Sequence, residues 1–130
     1  MTDPTHNPQP AQPFFAGQVS GQMDIAVSTS FDVPGHRVVQ FRGPCFGLVV
    51  RSMGFAKGIG ASFRALAGGE VRQYTELLED SRRHAMDRMV ENARLVGGNA
   101  VIGMRFDSSE IGQQLTEIVA YGTAVVIERA

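Results

Sequence analysis

The stretch Arg94-Leu-Val-Gly-Gly-Asn-Ala-Val-Ile-Gly-Met-Arg-Phe-Asp107 constrains the architecture more than any other part of this chain. A long helical pattern stops at Gly97-Gly98 and a strand pattern begins at once, so the chain switches from a 3.6-residue to a 2-residue period across two glycines. From about Val71 to Val96, Tyr74, Leu78, Ser81, Ala85, Met89 and Val96 share one helical face, and Leu77, Met86, Val90 and Ala93 widen it. Such a helix spans roughly 38 Å. Glu76, Glu79 and Asp80 precede Arg82, Arg83, Arg88 and Arg94, the charge order that complements the helix macrodipole, and Gly97 or Gly98 supplies a left-handed C-terminal cap.

Strand patterns flank this helix. Met23 to Thr29 alternates apolar and polar positions and reads as a short edge strand closed by the turn Asp32-Val-Pro-Gly35. Arg37 to Arg42 is a second strand, Gly43-Pro44 marks a bend, bulge or edge, and Phe46 to Val50 resumes the apolar character. Ser62 to Ala67 reads as a short helix ended by Gly68-Gly69. After the long helix, Ala100 to Phe106 places Ile102, Met104 and Phe106 on one face, and Asp107 to Gly112 reads as a loop. In the last strand, Thr116 to Arg129, the even positions Ile118, Ala120, Ala124 and Val126 are apolar, and so are the odd positions Val119, Tyr121, Val125 and Ile127. Both faces of that strand call for cover.

The fold class expected is therefore α+β, a small, mostly antiparallel sheet packed on one long helix. One helix covers one face of a sheet of about four strands, and an apolar second face left in water marks an interface. Self-association supplies the missing layer, so the chain is expected to be an obligate homo-oligomer. Residues 1–18 carry Pro4, Pro8, Pro10 and Pro13 among Thr, Asn and Gln and read as a disordered arm, with residues 19–130 as a single domain. Phe14 and Phe15 are the two aromatic residues of that arm.

Charge excludes some partners. Lys plus Arg number 12 against 13 Asp plus Glu, leaving no field to hold nucleic acid or an anionic membrane by counterion release. A lone cysteine, Cys45, forms no internal disulfide, and no charged start followed by an apolar run marks a secretory signal; a cytoplasmic location fits these features. No apolar run approaches the roughly 20 residues that span a bilayer.

The order of elements, with Gly43-Pro-Cys45, Gly68-Gly69, Ala93-Arg-Leu-Val-Gly-Gly-Asn-Ala-Val-Ile-Gly103, Phe106-Asp107 and Gly122-Thr-Ala-Val125, resembles the YbjQ-like family of uncharacterised bacterial proteins. The likeness covers about Val38 to Arg129. It implies a dodecin-subunit-like α+β unit assembling into a closed ring, a pentamer. The family also carries a heavy-metal-binding label, which would imply a transition-metal ligand. Soft metals require several thiolate, thioether or imidazole groups converging, and this chain lacks any Cys-x-x-Cys pair.

The candidate ligands are correspondingly few. Cys45, as a lone thiol in an apolar strand, is most simply a small buried hydrophobe, although a ring would repeat it around an axis. His84 lacks a second ligand at i+4, where Arg88 stands, and His36 and His6 read as solvated. Asp107 and Glu110 could be carboxylate ligands or an acid/base pair, yet Asp-Ser-Ser is also ordinary turn chemistry. Met23, Met53, Met86, Met89 and Met104 are scattered over separate elements and read as core filling. Gly54 to Ser62 departs from both the Walker and dinucleotide loops, since Lys57 precedes Gly58 and Phe63 stands where a third glycine is needed. No nucleophile, base and orienter set is present, so the function expected is a non-enzymatic binding or structural module whose partner is itself. The alternative is a heavy-metal-binding protein with ligands shared between subunits, for which Cys45, Asp107 and Glu110 are the candidates.

Overall fold

A computed structural model describes residues 25–52 and 72–130. These form β1 (Ala26–Val27), β2 (His36–Ser52), α1 (Arg72–Leu95), β3 (Ala100–Gly112) and β4 (Leu115–Arg129). The sheet order is β1-β3-β4-β2, with β1 parallel to β3 and the other neighbours antiparallel. The architecture is α+β, a mixed four-stranded sheet with one helix among the described residues. The expected arm over residues 1–18, the short helix at 62–67 and the glycine segment at 54–62 lie outside the described residues, as do His6, Met23 and Met53.

Alternation along β2 decides where α1 sits. Gly43, Cys45, Gly47 and Val49 point inward, and α1 lies over β2 and β4 with Ser81, Ala85, Met86, Met89 and Ala93 against them. A side chain at Gly47 would run into the helix backbone at Ala85 and Met89, so glycine is what permits this close seat. Ile118, Ala120 and Ala124 of β4, with Val101 and Met104 of β3, complete the core. Ser81, fully buried, donates its hydroxyl to the Leu77 carbonyl at 2.7 Å, which satisfies the one polar group on the helix's inner face.

The helix spans close to the expected range. Gly97, at φ +86°, ends it in a Schellman cap: the Gly97 amide donates to the Arg94 carbonyl and the Gly98 amide to the Ala93 carbonyl, both at 2.9 Å. Two residues placed on the inner face do not bury there. Leu78 is 36 % exposed while Leu77 beside it is half-buried, and Val96 is 44 % exposed because it follows the last helical residue.

Three further details differ from the sequence reading or refine it. Residues Asp107–Gly112, expected as a loop, continue β3 and pair with β4 as far as Leu115. The face shared by Ile102, Met104 and Phe106 is broken by a register shift between Ile102 and Arg105, so Val101 and Met104 both reach the core. Gly43-Pro44 does not interrupt β2; a register shift between Phe41 and Gly43 absorbs it, and β2 is an edge strand where proline's missing donor is tolerated.

Candidate functional site

Cys45 faces α1 from the middle of β2 and is 4 % exposed. Its Sγ lies 3.7 Å from the Gly122 carbonyl, a weak contact, and burial raises the thiol pKa above the ordinary cysteine value. A neutral thiol in such a setting is a poor nucleophile and a poor metal ligand.

Asp107 and Glu110 lie elsewhere. Asp107 pairs with Val119, which in turn pairs with Leu48, and this places it on the sheet face opposite Cys45; its Oδ1 accepts from the Ser108 amide at 2.9 Å. Glu110 pairs with Thr116, six residues along β4 from the partner of Cys45, a separation of about 20 Å. It lines a groove of about 500 Å³ with Tyr74, Gly112, Gln113, Gln114, Leu115 and Thr116, between the start of α1 and the β3–β4 turn. The three candidates therefore do not converge within one protomer, and among the described residues no three His, Cys, Asp or Glu side chains do so. Among the described residues, the donor set of a single chain does not fit a soft metal.

His84 has partners that the i+4 search overlooked, because they stand at i−4 and on another element. Arg51 at the end of β2 donates from Nη2 to Asp80 Oδ2 at 3.1 Å and to His84 Nδ1 at 2.6 Å, while His84 Nε2 lies 3.7 Å from Asp80 Oδ1. This cluster ties the end of β2 to α1. His36 Nδ1 lies 3.0 Å from the Pro34 carbonyl in the turn before β2.

Among the described residues, the sheet face away from α1 carries a cluster of exposed large apolar side chains. Phe46 is 59 % exposed, Val50 47 % and Tyr121 43 %, with Leu48 and half-buried Val119 between them. Cross-strand pairing joins Phe46 to Tyr121 and Leu48 to Val119, so these side chains form one continuous apolar patch. The two-faced character of β4 thus extends onto β2, which sequence reasoning missed. The signal was present: β2 turns Gly, Cys, Gly and Val inward and Pro, Phe, Leu and Val outward, the reverse of a strand whose outer face meets water.

Among the described residues no helix is long and apolar enough to cross a membrane. A family model described as "Putative heavy-metal-binding", YbjQ, matches residues 25–128. A UPF0145 protein of Bradyrhizobium sp. (strain ORS 278) is 56 % identical over 106 residues, covering 82 % of this chain and 96 % of the relative. A UPF0145 protein of Sulfurisphaera tokodaii is 46 % identical over 109 residues, covering 84 % and 96 %. Archaeal relatives such as this one correct the expectation of a bacterial family. Among solved structures, a protein with unknown function of the DUF74 family from Pediococcus pentosaceus has the same fold, with a TM-score of 0.53, 15 % identity and coverage of 80 % of this chain and 98 % of that one. On the extent of the family match and the identity to these relatives, the chain belongs to the YbjQ family of UPF0145 proteins.

Proposed function

We propose that this chain is the subunit of a closed homo-oligomer, a pentameric ring resembling dodecin assemblies, that acts as a non-enzymatic binding or structural module. The apolar outer sheet face carries the reading. Phe46, Leu48, Val50 and Tyr121 lie together on the side that α1 does not cover, and because each is already about half-buried, covering what remains against a neighbour is worth roughly 0.5–1.5 kcal/mol apiece. Light scattering on purified protein at micromolar concentration tests it. The expected mass is five times the 14.0 kDa subunit; a well-behaved 14.0 kDa species overturns the reading.

A second reading, heavy-metal binding through ligands shared between subunits, is favoured by the description of the family. Asp107 and Glu110, both on exposed strand, are better placed to be shared than Cys45 beneath α1. Elemental analysis and calorimetric titration with zinc, copper and nickel test it. Stoichiometric uptake reduced by Asp107→Asn with Glu110→Gln supports sharing, and no uptake by the assembled protein eliminates it.

A further inference from the structure

The helix α1 ends on uncovered apolar side chains. Leu95, its last residue, is 75 % exposed and Val96 is 44 % exposed, whereas Ser81, Ala85, Met89 and Ala93 on the inner face are fully buried. The cap does not hide them. A Schellman cap is often closed by an apolar side chain on the residue after the left-handed glycine, which folds back over the last turn. Here that residue is Gly98, and a Cβ at its position would crowd Ala124 Cβ and the Ala93 carbonyl, each at 3.2 Å. A cation stands beside the same surface. A Cβ on Gly97 would meet the guanidinium carbon of Arg42 at 3.3 Å, and among the described residues Arg42 has no ion-pair partner.

The chain enters the sheet at this end of the molecule. Ala26 of β1 pairs in parallel with Ala100, so Ile25 lies beside Asn99, the residue that follows Gly98. Ile25 packs in one core cluster with Met89 and Ala93, which puts the point of entry on the helix side of the sheet. The 24 residues before Ile25 lie outside the family match and include Phe14, Phe15, Val19 and Met23. They contain no Lys or Arg, and their acidic residues are Asp3 and Asp24, opposite in sign to Arg42. Length suffices for a contact. Leu95 stands four residues before Asn99, at most about 14 Å of extended chain, while the ten residues from Phe15 to Ile25 extend to about 35 Å.

We propose that the segment before β1 folds back over the C-terminal end of α1 in its own chain, seating Phe14 and Phe15 on Leu95 and Val96 with its acidic charge toward Arg42. Aromatic side chains from a distant part of the sequence then close the cap that Gly98 leaves open. Tethering selects this occupant: a flexible segment joined a few residues from its seat is present there at an effective concentration on the order of millimolar. The contact goes beyond the oligomer reading and does not rest on it, since a monomeric protein would keep it.

The chain contains no tryptophan, so Phe15→Trp in the full-length protein introduces a single fluorescent reporter. Seated on α1, it emits at shorter wavelength than a peptide of residues 1–24 carrying the same substitution, and iodide quenches it about threefold less. Adding Leu95→Asp returns both readings to those of the peptide, while the mass and the helical circular-dichroism signal stay unchanged because Leu95 lies outside the core. Emission equal to the peptide's in the Phe15→Trp protein overturns the proposal. Blue-shifted emission that persists with Leu95→Asp assigns the segment another seat and overturns it too, and a fall in mass on Leu95→Asp does the same by giving the helix end to a neighbouring copy. A second measurement leaves Leu95 and both phenylalanines in place: Gln18→Cys with Glu91→Cys, one turn before Leu95, is oxidised under native conditions and run on non-reducing gels. A disulfide within a single chain supports the contact. Chains linked to one another, or none linked, overturn it.

Discussion

Gly47 and Gly35 separate two demands that glycine meets. Gly35 holds φ +77° in the turn before β2 with open space where a side chain would stand, while Gly47 has unremarkable backbone and α1 pressed against it. Gly35→Ala should therefore cost only the left-handed strain, about 1–2 kcal/mol. Gly47→Ala should cost more, up to about 3 kcal/mol or failure to fold, because a helix backbone cannot yield as a side chain can. Urea denaturation midpoints of the two variants check the order. Cys45 adds a dependence on pH. Its raised pKa means that the folded state favours the neutral thiol and the unfolded chain releases the proton more readily, so the stabilisation is present below the ordinary cysteine range and is lost as pH rises through and above it. Unfolding midpoints measured from neutral to alkaline pH should fall more steeply in the wild type than in Cys45→Ala. At this scale, the inward place of Cys45 followed from its apolar strand. The Arg51–Asp80–His84 cluster did not, because Arg51 and His84 are 33 positions apart and only the fold brings them together.

Elements were most legible where periodicity and punctuation agreed. The helix from Arg72 to Leu95 had both an apolar stripe and a glycine stop, and the cap geometry at Gly97 explains why the stop is sharp. Gly97→Ala should lower stability by about 1–2 kcal/mol, read as a fall in the thermal midpoint, since the residue must hold φ +86° beside the Arg42 side chain. The second half of β3 was read as a loop because Asp107-Ser-Ser-Glu110 is polar at every position and exposed on both faces; a strand that buries neither face has no apolar alternation to betray it. Its pairing with β4 is imposed by the partner strand. Asn99 performs a similar service at the other end of that pair. Its amide accepts from the Ile127 amide at 2.7 Å and donates to the Ile127 carbonyl at 3.0 Å, prolonging the β3–β4 ladder through a side chain. Asn99→Ala should cost about 1–3 kcal/mol by leaving these partly buried backbone groups unpaired, and should speed amide exchange at Ile127.

For the molecule as a whole, the two apolar faces of β4 implied an uncovered surface, and the exposed patch on β2 and β4 is where that surface lies. What periodicity in β4 alone did not reveal is that β2 supplies most of the patch through Phe46, Leu48 and Val50. Leu48→Glu places a charge at its centre without touching the core, so it should leave the helical circular-dichroism signal intact while dissociating the proposed oligomer to the 14.0 kDa subunit. The position of α1 over Cys45 has one more consequence. The chain's single thiol, covered by a helix, becomes accessible only when that helix lifts from the sheet, so the rate at which a small alkylating reagent reaches it reports how often the two layers part. Without any introduced label, the protein thus carries an internal clock for its own opening.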